Sequence, residues 1–259
     1  MKQHPTAIID SRAELAPDVE VGPYAVIEQQ VYIHSGCRIG PHAVILPHTT
    51  LGPGCQVHPG AVIGDLPQEI GFKGYRSFVK IGAETVIREG VTIHRGTEED
   101  TVTCVGEKCF LMVNSHVGHN AQVGDRVIMA NGALLAGRVE VGDGVFISGN
   151  AAVHQFVKVG RLAMLSGMSG VTKDLPPFCT VHGASINQLA GLNVVGMRRA
   201  GISAPDRQAV KRVFSAVCAS DLNVSQAVAM IEEEDIDGPA LEFLEFVKAS
   251  KRGICRMPG

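Results

Sequence analysis

Asn114-Ser115-His116-Val117-Gly118-His119-Asn120, Ala136-Gly137-Arg138 and Val153-His154-Gln155-Phe156 belong to one stretch, Met112 to Phe156, whose reading decides the fold. What joins the three pieces is a period of six: Val117, Val123, Met129, Leu135, Val141, Ile147 and Val153. Carried outward from Ile9 to Val171, the same phase covers 28 positions, of which 25 are aliphatic or Met. The misses, Glu69, Tyr75 and Glu99, therefore mark excursions from a repeat that afterwards resumes in phase.

A second series runs with the first. Four residues after each aliphatic stands something small or β-branched, as at Ala25, Val31, Cys37, Ala43, Ala121, Val127 and Ala133. Neither an α-helix nor a plain strand has this period, and fixed short repeats of this kind mark a β-solenoid. The large residue fills the inside of a turn and the small one fits beside it. Glycine often follows the aliphatic (Gly22, Gly40, Gly118, Gly124), and the expectation is that it relaxes the bend.

Three hexads per coil give a three-sided prism in which residues 18 apart stack, at about the 4.8 Å spacing of adjacent strands. His119 then lies one coil below Gly137 and Arg138 and two below His154 and Gln155. The excursions at 65–80 and 95–104 leave from the same edge. That edge is where the sequence places a site. The first excursion, with Gln68, Glu69, Phe72, Lys73 and Tyr75, is too long for a simple connector, and such loops are usually functional.

With 45% hydrophobic and 19% charged residues the chain can bury a large core, and its net charge of −3 with no basic, aromatic-laced stripe argues against nucleic acid. Seven cysteines without a C-x-x-C pair argue against a disulfide framework and a zinc ribbon. Cys37, Cys55 and Cys109 occupy small interior slots, where buried, inert thiols are expected; this suits a reducing cytoplasm. No signal core is expected in residues 1–10, and no apolar run approaches the ~20 residues of a membrane span, so stable insertion is not expected.

The repeat fades at Asp174-Leu175-Pro176-Pro177, where the prolines are expected to end the solenoid. Helices are predicted over 187–199, 205–219, 225–234 and 239–251, capping the open end of the stack. The division is a solenoid domain, 1–183, and a helical domain, 184–259. Arg198, Arg199, Arg207, Lys211 and Arg212 face only Asp206 in that interval, which reads as a solvated face or as a site for an acidic partner or phosphate.

These motifs carry a resemblance. Ile93-His94-Arg95-Gly96-Thr97, the run 114–119, Val153-His154-Gln155-Phe156 and Val195-Gly196-Met197-Arg198-Arg199 resemble those of the UDP-N-acetylglucosamine O-acyltransferases, which begin lipid A synthesis in Gram-negative bacteria. The likeness spans nearly the whole chain. It implies an all-β solenoid of the left-handed parallel β-helix type with a C-terminal helical tail, assembled as a cytoplasmic homotrimer. The reaction implied is transfer of an (R)-3-hydroxyacyl group from the phosphopantetheine of acyl carrier protein to the 3-position of a UDP-sugar, with no resident cofactor or metal. By motif position His119 resembles the general base. His94, His116, His154 and Gln155 resemble substrate contacts, Gln68 and Glu69 approach the sugar, and Asn193, Arg198 and Arg199 lie near the nucleotide. Gly167 falls where acyl length is set, and glycine there admits a longer chain.

The chemistry of the residues points the same way. A sugar hydroxyl must lose its proton as it attacks a thioester, imidazole suits that task near neutrality, and turn N–H groups near Gly137 suit the oxyanion. Three departures from the family pattern stand out. Asn120 follows the base where Asp is common. Arg138 replaces a histidine, and is expected to contact the acyl or phosphopantetheine part. Lys73 stands in for a loop lysine expected near Gly71. Asn120 leaves open an N-acyltransferase acting on a 3-amino UDP-sugar, and with Arg138 a non-catalytic nucleotide-sugar-binding solenoid. His94, His116 and His119 together also admit a zinc-dependent carbonic anhydrase on the same kind of prism.

Overall fold

The computed structural model describes residues 2–258. Among them, short strands, parallel except for the last, stack into three faces of 11, 9 and 8 strands, and consecutive strands of the repeat visit the faces in rotation. The first face runs from Lys2–Gln3 to Leu189–Leu192, the second from Ile8–Ile9 to Gly170–Val171, the third from Glu14–Leu15 to Lys158–Val159. The register is the expected one: His116 pairs with Leu134 and Leu134 with Ala152, a step of 18 each time. Across the excursions the step lengthens, Gln56 to Val86 and then Val86 to Phe110, by whole hexads, which is why the phase survives.

The inward column is continuous and dry. Ile27, Ile45, Ile63, Ile93, Val117, Leu135 and Val153 are all essentially without solvent exposure, as are the small partners Ala25, Ala43, Ala61, Ala121 and Ala133. Each such aliphatic, once buried, contributes about 1.5–3 kcal/mol. Cys37, Cys55 and Cys109 sit in the small slots as buried free thiols, and burial pushes Cys109 up to about 11, which keeps it protonated and inert.

Glycine after the aliphatic has a different reason from the one expected. Gly22, Gly40 and Gly118 are not in the left-handed region; a Cβ on Gly118 would stand 2.7 Å from the Ala136 carbonyl carbon of the next coil. Close approach of stacked turns, not bending, excludes a side chain there. The left-handed residue comes two places later, at Tyr24, His42, Asn120, Arg138 and Phe156, with φ between 56° and 65°. None of these five is glycine, so the cost of that conformation is met by the stacking around it.

Two expectations about the end of the solenoid are corrected. The prolines do not stop it. Leu175 bridges Val159, and Cys179–Val181 adds a further rung to the first face against Met164–Leu165. Pro177 occupies the turn slot that also holds Pro23, Pro41, Pro53 and Pro59, two residues after an inward aliphatic, so it removes no ladder donor. The helix expected over 187–199 begins only at Val194: Leu189–Leu192 is a strand, antiparallel to Cys179–Val181. It pairs the last exposed edge of the first face.

The helices that follow are α1 (Val194–Arg199), α2 (Ala204–Cys218), α3 (Val224–Glu232) and α4 (Gly238–Ala249). Ser203 caps α2 through the Asp206 N–H, and Val210, Val213, Phe214 and Val217 form its buried stripe. The tail is latched to the prism at Asp174, a buried carboxylate that accepts from Lys158 N–H at 2.9 Å and from the Ser250 hydroxyl at 2.7 Å. Arg161 adds a bidentate bridge to Glu242 of α4 at 2.7–3.2 Å. No helix among the described residues is long and apolar enough to cross a membrane.

Candidate active site

His119 lies on the edge between the second and third faces, in the turn that links His116–Val117 to Gln122–Val123. Val117 and Ala121 point inward on either side, which turns His119 out into the groove beneath the next coil. Its side chain is only 13% exposed. Nδ1 is 2.9 Å from Asn120 Oδ1, and Nε2 is 3.9 Å from the Glu69 carboxylate, beyond hydrogen-bond reach but close for a charge.

The hydrogen bonds fix the tautomer. Asn120 Oδ1 accepts from the Thr97 backbone N–H at 3.0 Å. Because that partner can only donate, the amide atom facing it is oxygen, and His119 Nδ1 must then be the one that carries hydrogen. Nε2 is left with its lone pair directed into the cleft.

His94 and His116 flank it, their rings edge to face at 4.9 Å. His116 Nδ1 meets the Thr92 hydroxyl at 2.8 Å. Burial, then the neighbouring His94 and His119, push His116 down to about 4; burial also lowers His94, with His119 adding and Asp65 opposing. Both are therefore neutral near pH 7 and act as dipoles, not cations. His154 turns its Nδ1 to the Gln155 carbonyl at 3.2 Å.

A cleft of about 820 Å³ joins these groups. Its floor is the outward ladder of the second face, Thr92, His116, Leu134, Ala152 and Gly170, in strand register, with Ile186 beyond. Along this floor Thr92 and His116 lie at one end and Leu134, Ala152 and bare backbone at the other, where His154, Gln155 and Thr172 stand at the side. Gln68 and Glu69 of the first excursion, and Gly137 and Gln155 of the upper coils, complete the wall. The two excursions are laced together: Arg76 bridges Asp100 at 2.6 Å, Ser77 donates to the Gly96 carbonyl at 2.6 Å, and the Arg95 guanidinium lies over the Phe72 ring.

Of the residues singled out from sequence, Gln68, Glu69, His94, His116, His119, Gly137, His154 and Gln155 line this cleft; Lys73, Arg138, Gly167, Asn193, Arg198 and Arg199 do not. Lys73 is exposed on its loop. Arg138 points the other way, to the Glu98 carboxylate at 2.8 Å and the Thr97 hydroxyl at 3.2 Å. Gly167 stands at the far edge of the second face. The Asn193 side chain caps α1, accepting from Gly196 N–H at 2.9 Å and donating to the Leu162 carbonyl at 2.8 Å. Arg198 and Arg199 are exposed in the last turn of α1. Sequence reasoning passed over Thr92 and Glu98, and quoted Thr97 only inside a motif, with no role. Thr92 becomes visible once the lengthened step across the second excursion is counted, whereas Thr97 and Glu98 lie outside the repeat. Among the described residues no three His, Cys, Asp or Glu side chains are grouped as a metal would require, so the zinc reading finds no ligand set.

Two family models match: "Udp N-acetylglucosamine O-acyltransferase; Domain 2" over residues 174–255 and the bacterial transferase hexapeptide over residues 30–65. The acyl-[acyl-carrier-protein]–UDP-N-acetylglucosamine O-acyltransferase of Azotobacter vinelandii is 52% identical, covering 97% of this chain and 98% of its own. That of Anaeromyxobacter dehalogenans is 43% identical over 99% and 100%. Among solved structures, the Francisella novicida UDP-N-acetylglucosamine acyltransferase superposes with a TM-score of 0.95 at 32% identity, over 99% of this chain and 95% of that one. The Bacteroides fragilis enzyme gives 0.94 at 36%, over 98% and 99%. The three-faced stack is accordingly the left-handed parallel β-helix. With full-length kinship at this level, the chain belongs to the UDP-N-acetylglucosamine O-acyltransferase family of acyltransferases.

Proposed function

We propose that this chain transfers an acyl group from acyl carrier protein to the 3-hydroxyl of UDP-N-acetylglucosamine, the step that opens lipid A synthesis, with His119 as general base. The observation that carries the assignment is the bare Nε2 of His119, directed into a cleft whose floor passes from Thr92 and His116 to Leu134, Ala152 and Gly170. Nε2 removes the hydroxyl proton as the sugar oxygen bonds to the thioester carbon. The Gly137 N–H, which donates to no backbone acceptor among the described residues, is placed to face the oxyanion. On collapse the C–S bond breaks, and the phosphopantetheine sulfur leaves as a thiol with the proton held at Nε2. Asn120 offers no charge to the imidazolium; the Glu69 carboxylate, 3.9 Å away, does. Neutral His116 and His94 suit hydrogen bonds to sugar hydroxyls. The acyl chain follows the ladder Leu134, Ala152, Gly170. The scheme calls on no resident cofactor.

We take the working unit to be a trimer in the cytoplasm. Asn193, Arg198 and Arg199 lie away from this chain's own cleft, so a nucleotide contact from them requires a neighbouring subunit. The exposed Ile8 and Leu134 on the second face favour covering by another chain. The basic run of α2, Arg207, Lys211 and Arg212, gives the carrier protein a surface to dock on. The kinship with enzymes removes the ground for a non-catalytic module.

The test is His119→Gln in an assay with a hydroxyacyl carrier-protein thioester and UDP-N-acetylglucosamine. We expect a loss of about 10²–10⁴ in kcat with an unchanged melt; activity within threefold of the parent rejects His119 as base. The neutral Asn120 supports a second reading, an amine acceptor. Rates on the sugar and its 3-amino analogue, side by side, separate the two.

A further inference from the structure

The motif resemblance puts Arg138 on the acyl donor, yet its guanidinium is engaged elsewhere. It lies 5.7 Å from the Phe156 ring centroid of the coil above, and reaches down past its own turn to Glu98 and Thr97. The turn that carries it is stacked on the catalytic one, since Arg138 N–H donates to the His119 carbonyl at 2.8 Å.

Thr97 is the junction. It is 7% exposed and sits between Arg138 and Asn120, its hydroxyl 3.2 Å from Arg138 Nη2 and 3.0 Å from Asn120 Oδ1. An arginine has five donors and no acceptor. The Thr97 hydroxyl must therefore accept from Arg138 and spend its single hydrogen on Asn120 Oδ1. That oxygen already accepts the Thr97 N–H, so it meets His119 Nδ1 as an acceptor. Donation thus runs from guanidinium to hydroxyl to Asn120 Oδ1, and the His119 Nδ1–H meets that same oxygen from the other side, so the chain fixes which amide atom the ring faces.

We infer that Arg138 and Thr97 are positioning residues: through Asn120 they hold His119 in the Nδ1–H tautomer that leaves Nε2 free to take the substrate's proton. An uncharged Asn at position 120 gives a weaker hold on the ring than a carboxylate, because its free amide could offer nitrogen instead of oxygen after a flip. The two Thr97 donors penalise that flip, and the guanidinium commits the hydroxyl as the second of them. Arg138 and Asn120, the two departures from the family pattern at this edge, are thus parts of one arrangement. Glu98 balances the charge and keeps the guanidinium over Thr97.

This rests on His119 being the base, so the test reads the ring without turnover as well as the rate. The full-length protein with ¹⁵N-labelled histidine is compared as parent, Thr97→Val, Thr97→Ser and Arg138→Met, with His119→Gln assigning the signal. In the parent we expect one tautomer, Nδ1–H. Thr97→Val keeps the backbone N–H bond but removes the hydroxyl; the ring becomes a mixture, and kcat falls about tenfold while KM for the UDP-sugar moves less than about twofold. Thr97→Ser restores the single tautomer and most of the rate, and Arg138→Met, on the solvent side, repeats the valine effect at about threefold. Unchanged tautomer and kcat in both Thr97→Val and Arg138→Met overturn the inference. So does an Arg138→Met protein whose only defect is a higher KM for the acyl donor. A parent chain without transferase activity would sink the functional reading alone, because the tautomer shift is still measured.

Discussion

The imidazole of His119 occupies the space that a Cβ on Gly137 would need, with Cε1 and Nε2 the atoms in the way. Gly137 is in an ordinary backbone region, so its lack of a side chain serves the ring beneath it and not the turn. Gly137→Ala should therefore leave the fold nearly intact and displace the base. We expect kcat to fall by at least about 10²-fold with a melting temperature within a few degrees, since misplacement of about 1 Å at a reacting centre has that effect. Activity assays beside thermal melts check it, and full activity in the alanine protein would show that the ring does not work from this position.

Half-buried His116 makes the site a source of acid sensitivity. Its folded-state value, about 4, lies below the unfolded value near 6.5. Between those pH values the unfolded chain binds a proton that the folded one refuses. Stability is whole above about pH 6.5 and drops as pH falls toward 4, by about 2–3 kcal/mol from this residue. Urea melts at pH 7 and 4.5 should show a drop smaller in His116→Gln than in the parent; equal drops would contradict it. Lowered His94 contributes in the same direction.

The Asp174 latch should govern the helical tail. Asp174→Ala leaves the Lys158 N–H and the Ser250 hydroxyl without their partner, a loss of about 2–4 kcal/mol. We expect a lower melt and early proteolytic release of the segment after α4, with the prism resistant. Unaltered cleavage kinetics would mean that the backbone bridges of Asp174 with Ile254 and of Gln188 with Arg256, together with Arg161–Glu242 and the helix packing, hold the tail without the carboxylate.

Asn120→Asp keeps the acceptor at Oδ1 and adds the charge that the parent lacks beside Nδ1. If His119 is the base, kcat should rise about three- to tenfold. A fall in kcat, with the fold intact by circular dichroism, would show that neutrality at this position is required.

How much could be read beforehand follows from where the information lay. Spacing alone placed His119, Gly137, His154 and Gln155 in one cleft, because 18 residues per coil is a rigid geometric rule. It failed at 189–192. Leu-Ala-Gly-Leu has no strand signature of its own, and it became a strand only because Cys179–Val181 offered an unpaired edge. The direction of Arg138 was equally invisible, since Glu98 and Thr97 sit in an excursion that no period places.

By itself the sequence determined the winding: inward aliphatics every six residues admit one stable stacking, and burial enforces it at each rung. Tertiary structure decided what depends on groups brought together from outside the repeat. The free nitrogen of His119, the neutral state of His116 and the course of Arg138 follow from hydrogen-bond partners and desolvation, which exist only once loop and coil have met.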